Sequence, residues 1–294
     1  MIRPEYREVR SAAGADLHVR VWAGNSPTNS RGLLLVHGLA SNARMWDGVA
    51  GYLVEAGHPV AAVDLRGHGH SSKPNTGYDF ATMCVDLDAV LVDLASDGAG
   101  WTTPVVAGQS YGANLAMELG ATRPWLISGV VCVDGGTIEL SVPFPDWESC
   151  AGALAPPRID SVTPEELEKH LRSVHPDWPD TGIQGMLANF VVNALGFVEP
   201  CLSFDRHMTI LHELWQHKPT LLYGSMAVPV LLVPAGDGHG TTPIYEKKRE
   251  VEAAVAALPQ ARAQWFAADH DIHAQFPREL AALIHDCIAD GFFG

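Results

Sequence analysis

The sequence lacks an apolar run long enough to cross a bilayer. Its longest, GLLLVHGLA, is far shorter than the roughly 20 residues that a transmembrane helix needs. The first residues, MIRPEYREVR, are charged and contain no apolar core of the kind that signal peptides carry. We therefore expect a soluble, cytoplasmic protein that does not act at a membrane.

Positive charge is scarce. The chain has 19 Lys and Arg against 34 Asp and Glu, which gives a formal net charge of −15 at pH 7. Phosphate backbones and anionic lipids repel such a chain, so we expect no nucleic-acid or membrane partner. A small-molecule substrate is the partner we expect, and the oligomeric state stays open.

The sequence also has no CxxC pair. Its five cysteines are scattered and odd in number, which favours buried free thiols in a reducing compartment over a disulfide framework. Internal repeats and low-complexity tracts are absent from the sequence as well, which leaves an ordinary globular chain of 294 residues.

Short apolar runs alternate with amphipathic helical stretches along most of the chain. Residues 16–23 alternate in polarity and predict an exposed antiparallel strand. The predicted buried strands are 32–38, 59–65, 104–110, 127–136, 228–236 and 261–268. Repeated strand–helix units predict an α/β fold, with a mostly parallel twisted sheet and helices on both of its faces.

This alternation stops in the middle of the chain. Turns rich in Pro and Trp separate amphipathic helices there, one of them opened by Thr163 as an N-cap and others predicted at 183–195 and 205–217. We interpret the stretch as a helical cap, or lid, inserted between two strands. The predicted domains are the core, at 1–136 and 223–294, and the cap, at 137–222.

A serine stands between two glycines where a buried strand turns directly into a helix, in the sequence VVAGQSYGAN. This pattern is typical of a nucleophile elbow, whose turn is so sharp that side chains at Gly108 and Gly112 would strike neighbouring backbone. The turn would present the hydroxyl of Ser110 at the N-terminus of the helix, where backbone N–H groups stabilise a developing anion. We therefore predict that Ser110 is a nucleophile.

A serine hydroxyl is a poor nucleophile without a base. The stretch WFAADHDIHAQFPREL supplies one late in the chain, in a loop predicted to follow the last strand. His270 comes first after that strand and is the predicted base. We interpret His273, three residues later, as a supporting or surface residue.

An oxyanion hole needs two aligned N–H donors. Tyr111, directly after the serine, is one candidate, and Leu39, in the turn HGLASN, is the other. His37 and Gly38 would shape that turn. The polar loop DLRGHGHSSKP is predicted to support the rim of the site through Arg66, with no chemical role.

The order of these motifs resembles the α/β-hydrolase superfamily: HG after the third strand, DLRGHGHS after the fourth, GQSYG after the fifth and DHDIHAQFP near the end. The resemblance covers both predicted core portions. It implies a Ser–His–acid triad, an acyl-enzyme route, and no metal or organic cofactor. Because the nucleophile is serine, the chain departs from members that attack through a carboxylate, and it resembles the serine-nucleophile branch with a helical cap.

The acid of the triad has two candidates. In most of the superfamily it follows the strand after the cap in a Gly-x-x-Asp pattern, but here that stretch reads PAGDGHG, with Asp237 one residue after Gly236 and His239 where the aspartate is expected. Some members carry the acid one strand earlier, where VVCVDGGT offers Asp134. We favour Asp134.

Residues of the cap would recognise the substrate. The aromatic and histidine side chains there are candidates to line an apolar pocket, although for any one of them packing of the cap helices on the sheet is the favoured explanation. The predicted substrate-binding residues are Trp147, Phe190, His207 and Trp215.

Taken together, the motifs predict a serine hydrolase that cleaves a carboxylic ester or lactone of a small to medium substrate through an acyl-enzyme. Amide, thioester and carbon–carbon bond hydrolysis use the same residues. A ligand-binding receptor or slow-turnover pseudoenzyme on the same fold is the alternative from a different class.

Overall fold

The computed structural model describes residues 3–23, 30–236 and 244–294. Ten strands and ten α-helices are found in this part of the chain. The strands are β1 (Glu5–Arg10), β2 (Asp16–Trp22), β3 (Leu33–Val36), β4 (Val60–Val63), β5 (Val105–Gln109), β6 (Gly129–Val133), β7 (Phe190–Val192), β8 (Val198–Pro200), β9 (Val230–Val233) and β10 (Ala261–Ala263). The helices are α1 (Asp47–Glu55), α2 (Phe80–Ala95), α3 (Tyr111–Thr122), α4 (Trp147–Leu154), α5 (Pro164–Val174), α6 (Asp180–Leu187), α7 (Phe204–Gln216), α8 (Ile244–Ala257), α9 (Ile272–Gln275) and α10 (Pro277–Ala289).

Eight strands form one sheet in the order β1-β2-β4-β3-β5-β6-β9-β10. The pairs β1–β2 and β2–β4 are antiparallel and the other pairs are parallel. The five central strands, β4, β3, β5, β6 and β9, are buried at every residue. Such strands must be apolar on both faces, which explains why their sequences are continuous apolar runs. The predicted α/β fold is confirmed.

Helices cover both faces of the sheet. On one face α2, α3 and α8 contribute to an apolar core, with Leu87 and Leu115 fully buried in it. On the other face α1 and α10 form a second core, around Leu53 and Ile284. The sheet is therefore the middle of three layers, and only its edges and strand ends are left for function.

The carboxyl ends of the central parallel strands lie side by side. In the register of the sheet Val36 of β3 pairs with Gly108 of β5, and Gly108 pairs with Cys132 of β6. The loops that follow these strands therefore meet at one edge of the sheet. This edge is where ligands bind in open α/β sheets.

Two strand predictions need correction. The segment 16–23 does form an antiparallel strand, but β2 lies between β1 and β4 and is mostly buried, because the unpredicted strand β1 covers its outer side. The last strand, predicted at 261–268, spans only Ala261–Ala263, and beyond it a single bridge joins Ala235 to Phe266.

Four helices and a two-stranded hairpin stand between β6 and β9, in the segment predicted to be the cap. The predicted helix at 183–195 is wrong in its second half. Helix α6 ends at Leu187, and the chain turns into the antiparallel hairpin β7–β8. The capping box of α5 is present: Thr163 Oγ1 accepts from the N–H of Glu166, and Glu166 Oε2 accepts from the N–H of Thr163.

Several hydrogen bonds attach the segment 137–222, which we call the cap segment, to the core, and two of these attachments lie at loops that follow β3 and β4. Arg206 of α7 donates to the carbonyl oxygens of Lys73 and Pro74, at 2.7 and 3.1 Å. Asn42, in the turn after β3, donates to the carbonyl oxygen of Gly185 at 2.9 Å. Both attachments join loops at the carboxyl edge of the sheet, so the cap segment lies over that edge.

In the described parts of the chain we found no helix with the length and apolar character needed to cross a membrane.

Candidate active site

Ser110 occupies the turn between β5 and α3 with a strained backbone. Its φ of 53° and ψ of −118° are unusual for a residue with a side chain. Such strain costs on the order of 1–3 kcal/mol and persists only where the surrounding structure enforces it. The N–H of Ser110 donates to the carbonyl oxygen of Val133 at 2.9 Å, which ties the turn to the end of β6.

The two glycines that flank Ser110 stand where the backbone leaves no room for a side chain. A Cβ at Gly112 would lie 2.5 Å from the carbonyl oxygens of Val36 and His37, and one at Gly108 would strike the carbonyl of Gly112. Atoms do not approach so closely without a shift of backbone. The sequence Gly-x-Ser-x-Gly is therefore what lets this strand turn directly into this helix.

His270 and Asp134 form a short hydrogen bond. The Nδ1 atom of His270 lies 2.6 Å from Oδ2 of Asp134, and the carboxylate can only accept, so the proton is on Nδ1. Asp134 follows β6 directly, and 4% of its side chain is exposed. The Nε2 atom of the neutral imidazole is left with a free lone pair, which is the state that a general base requires.

The second carboxylate oxygen of Asp134 is also occupied. Oδ1 accepts from the N–H of Ala235 at 2.8 Å and from the ammonium of Lys247 at 2.7 Å. Burial opposes ionisation of this carboxyl group, but the hydrogen bond and charge of His270 and Lys247 outweigh it and lower the pKa of Asp134. The carboxylate is therefore ionised at neutral pH.

The imidazole of His270 responds to the same charges. Removal from water opposes its protonation, but the hydrogen bond to Asp134 and the charges of Asp271 and Asp134 outweigh that effect. Together they raise the pKa of His270 above its ordinary value, and the positive charge of Lys247 opposes the rise. About half of the side chain, 52%, is exposed, so the ring stands at the edge of the sheet.

The histidine loop and the serine turn are in contact. Gln109, the residue before the serine, donates from Nε2 to the carbonyl oxygen of His270 at 3.3 Å. Gly135, directly after Asp134, leaves no room for a Cβ against the backbone of Ser110. The structure thus brings the predicted nucleophile, base and acid to neighbouring positions at one edge of the sheet.

Of the two predictions for His273, a supporting residue or a surface residue, the surface position is wrong. Its side chain is fully buried against Trp46, with ring centroids 4.6 Å apart. Neither ring nitrogen has a hydrogen-bond partner in the described part of the chain. Burial and the charges of His270 and His37 lower the pKa of His273 to about 3, which keeps this ring neutral.

The predicted oxyanion donors lie on both sides of the serine turn. Tyr111 is the first residue of α3, and Leu39 stands in the turn after β3. Within the described ranges, neither backbone N–H has an acceptor in the protein. Gly38 brings the Leu39 turn close to the elbow, because a Cβ there would lie 3.3 Å from the Cβ of Ser110.

Two buried histidines fix the Leu39 turn. His37 Nε2 accepts from the N–H of Leu65 at 3.0 Å, so its Nδ1 donates to the carbonyl oxygen of Gly38 at 2.7 Å. His68 Nε2 accepts from the N–H of Ala40 at 3.3 Å, and its Nδ1 donates to the carbonyl of Arg66. Burial lowers the pKa of both imidazoles, so they keep these neutral tautomers.

The loop after β4 therefore contributes more than the predicted support through Arg66. Arg66 does form a buried ion pair with Asp86, with N–O distances of 2.6 and 2.7 Å. His68 and Lys247 make contacts at the candidate site that the sequence did not reveal. The only signal for His68 is its place in DLRGHGHS, and nothing in the sequence connects Lys247 with an aspartate 113 residues earlier.

The cap residues predicted to bind substrate fall into two groups. Trp147 and Trp215 pack on each other at the contact of α4 and α7, with centroids 6.1 Å apart, and Trp215 Nε1 donates to the carbonyl of Phe144. These contacts favour the packing interpretation of both. His207 is buried and close enough to His68 for its charge to lower the pKa of that imidazole. Phe190 is half-buried beside the apolar cluster in which the cap segment packs on Met45 and Ala274 of the core. Substrate binding by all four stays a prediction.

Asp237 and His239, the residues of the competing acid site, lie outside the described residues.

Comparisons with known proteins agree with this fold. The family described as "alpha/beta hydrolase fold" matches residues 33–160. Lipase LipV of Mycobacterium tuberculosis is 29% identical over 177 residues, which are 53% of this chain and 62% of that protein. Esterase Rv0045c of the same organism is 36% identical over 132 residues, 45% of this chain and 39% of that protein. The matches thus span less than two thirds of these curated relatives.

A solved structure, that of E-2-(acetamidomethylene)succinate hydrolase, superimposes with a TM-score of 0.74 at 21% identity. It covers 97% of this chain and 99% of the other chain, so the likeness includes both the sheet and the cap segment. At this level of identity the superposition concerns the fold alone. The family match over residues 33–160 and the superposition over nearly the whole chain thus agree that this chain has the α/β-hydrolase fold.

Proposed function

We propose that this chain is a serine hydrolase that cleaves a carboxylic ester or lactone of a small to medium substrate through an acyl-enzyme. The observation that carries the proposal is the arrangement at the carboxyl edge of the sheet. A strained serine between two glycines lies at the same edge as an imidazole whose Nδ1 is held by a buried carboxylate, and Gln109 joins the serine turn to the histidine loop. Packing alone gives no reason to maintain that strain.

In the proposed first step His270 Nε2 accepts the proton of Ser110 as the serine oxygen attacks the substrate carbonyl carbon. Asp134 holds the imidazole in the required tautomer and stabilises the imidazolium that forms. The carbonyl π electrons move to the oxygen, and the N–H groups of Leu39 and Tyr111 stabilise the resulting oxyanion.

The second step expels the alcohol. His270 returns the proton to the leaving oxygen, which leaves the acyl group on Ser110. Water then attacks the acyl-enzyme with His270 again as the base, and collapse of this second tetrahedral intermediate releases the acid and restores Ser110. The curated relatives named lipase and esterase support an ester as the bond that is cleaved.

Hydrolysis of p-nitrophenyl acetate tests this proposal. We expect many turnovers by the wild-type protein, and a fall in kcat of roughly 10⁴ to 10⁶ for Ser110→Ala or His270→Ala. The double variant should be little worse than either single variant, since the two residues act as a unit. Ser96→Ala, which removes an exposed serine, is the matched control and should keep full activity.

The receptor alternative predicts a different result. A receptor on this fold would bind a ligand and release at most one slow equivalent of p-nitrophenol per chain. A single equivalent with no further turnover, or full turnover by Ser110→Ala, would contradict the proposed function.

A further inference from the structure

The ammonium of Lys247 lies directly on the carboxylate that orients His270. Lys247 belongs to α8, which packs on the same sheet face as α2 and α3. Its Nζ atom is 2.7 Å from Asp134 Oδ1, while Asp134 Oδ2 is 2.6 Å from His270 Nδ1. The two carboxylate oxygens therefore contact different partners.

Lys247 is held at two points. Besides Asp134, its Nζ donates to the carbonyl oxygen of Ala235 at 3.0 Å, and the N–H of the same Ala235 donates to Asp134 Oδ1. Three groups thus form a closed set of hydrogen bonds around one carboxylate oxygen. Immobilising a lysine side chain costs rotamer entropy. A lysine with no role other than solvation would therefore be expected to stay free in solvent.

The neighbouring lysine on the same helix shows the contrast. Lys248 has 60% of its side chain exposed, and its ion pair within the described ranges is with Glu252, at 3.9 Å along the helix. Lys247 has 26% exposed and pairs with a carboxylate that is 4% exposed. Charge pairs of the first kind contribute little, whereas a pair removed from water is strongly coupled.

Other charged groups also affect the protonation of His270. Asp134 and Asp271 favour a charged imidazole at His270, and Lys247 is the cation that opposes them. Glu250 of α8 also lies near Lys247, and the charges of Glu246, Lys247 and Glu139 all act on that carboxyl group. Lys247 therefore opposes protonation of the imidazole, whereas the two carboxylates favour it.

We propose that Lys247 is a positioning residue for the Asp134–His270 pair. Its ammonium fixes Asp134 so that Oδ2 faces the imidazole, and its charge keeps the imidazole in its basic form at lower pH than the carboxylates alone would allow. In catalysis the inference rests on the proposed function, but the effect on His270 itself does not need turnover.

The pH dependence of kcat/KM for p-nitrophenyl acetate tests the catalytic part. Lys247→Met removes the charge and keeps much of the apolar stem. We expect the acid limb to move to higher pH, by roughly half a unit or more, and kcat on the plateau to fall about tenfold, as for residues coupled in one network. Lys248→Met should match the wild type, and Lys247→Arg, which keeps the charge, should restore the position of the limb.

The titration of the His270 imidazole, followed by NMR of ring-labelled protein and assigned with His270→Gln, gives a readout independent of activity. Its midpoint should rise in Lys247→Met and not in Lys248→Met. An unchanged midpoint in folded Lys247→Met protein would overturn the inference. Lys247→Gln serves the same purpose if the methionine variant does not fold.

The two proposals fail in different ways. If the wild-type protein does not turn over any ester but the His270 midpoint rises in Lys247→Met, the proposed function is wrong and the positioning role stands. If turnover is normal and neither midpoint nor limb moves, Lys247 is a structural residue only.

Discussion

Two residues at the candidate site share an unusual backbone. Ser110 and Asp134 both have positive φ, 53° and 43°, although both carry side chains. Each follows a buried parallel strand directly, and each donates a backbone hydrogen bond to the neighbouring strand: the N–H of Ser110 to the carbonyl oxygen of Val133, and the N–H of Asp134 to that of Val233. The sheet therefore enforces both turns, which is how strain of this kind is maintained at functional sites.

The wild-type pH profile follows from the charges on His270. The base must be neutral to accept the serine proton, and its pKa is raised above the ordinary 6.5 by Asp134 and Asp271. We therefore expect kcat/KM to fall with decreasing pH through a midpoint higher than 6.5. A midpoint below 6.5 for ester hydrolysis would contradict this picture of the site.

Asp134→Asn should move that midpoint in the opposite direction from Lys247→Met. Loss of the carboxylate removes the charge that raises the pKa of His270, so the acid limb shifts to lower pH. The asparagine also favours the wrong imidazole tautomer, at a cost of about 10⁴ in kcat. Steady-state kinetics of folded protein, checked by circular dichroism, measures both effects.

Asp237→Asn is the comparison for this variant. If Asp134 is the acid, we expect Asp237→Asn to stay within about tenfold of wild type. That limit is far below the loss expected when the orienting carboxylate of a triad is removed. A crippled Asp237→Asn protein beside a nearly active Asp134→Asn protein would transfer the role to the late loop, against our assignment.

At the scale of elements, the serine elbow is where glycine matters most for stability. We expect Gly112→Ala to destabilise the fold by about 1–3 kcal/mol or more, because its Cβ would meet two carbonyl oxygens at 2.5 Å. Gly51→Ala is the matched control: Gly51 lies inside α1 with nothing within 4 Å of an added Cβ. It should stabilise the protein by roughly 0.5–1 kcal/mol.

Thermal unfolding of these two variants measures the difference. A melting temperature that drops for Gly112→Ala and rises for Gly51→Ala is the expected result. Equal shifts for both would mean that the elbow has more freedom than its contacts indicate.

Strands that are buried on both faces could be predicted from the sequence, whereas the exposed edge strand and the short strands of the hairpin could not. The central strands are continuous apolar runs because both of their faces are buried, so they were recognisable. Strand β1, EYREVR, is an edge strand with mostly exposed side chains and has no such run. Strand β7 of the hairpin falls within the helix predicted at 183–195, because short apolar stretches such as FVV carry no clear period.

The hydrogen bonds within the site were harder to predict from the sequence than its motifs. Ser110 and His270 stand in local patterns that the superfamily shares, so order and spacing were enough to single them out. Hydrogen bonds such as Lys247–Asp134 and Ala40–His68 join residues far apart in the chain. Only the sheet order brings these residues together, and no local pattern encodes that order.

At the scale of the whole molecule, we expect the cap segment to limit which substrates reach Ser110. Arg206 and Asn42 hold it against loops of the core, over the edge where the candidate site lies. We expect hydrolysis of short or compact esters and little hydrolysis of emulsified long-chain triglycerides. A series of p-nitrophenyl esters of increasing acyl length should show kcat/KM falling with length.

Tributyrin measured across its solubility limit is the companion experiment. A cap held by these hydrogen bonds gives no reason for a rate increase when an oil–water interface forms. A sharp rise in rate at that limit would show that the cap segment opens at interfaces, against this account.

The central claim is that one serine, activated by its turn and by His270, carries the acyl group. Reaction with a fluorophosphonate followed by mass spectrometry of the digested protein tests it most directly. We predict one equivalent of label, found on the peptide that contains Ser110, absent from Ser110→Ala and greatly slowed in His270→Ala. Full labelling of Ser110→Ala, or label on any other serine of the native protein at the same rate, would contradict the claim.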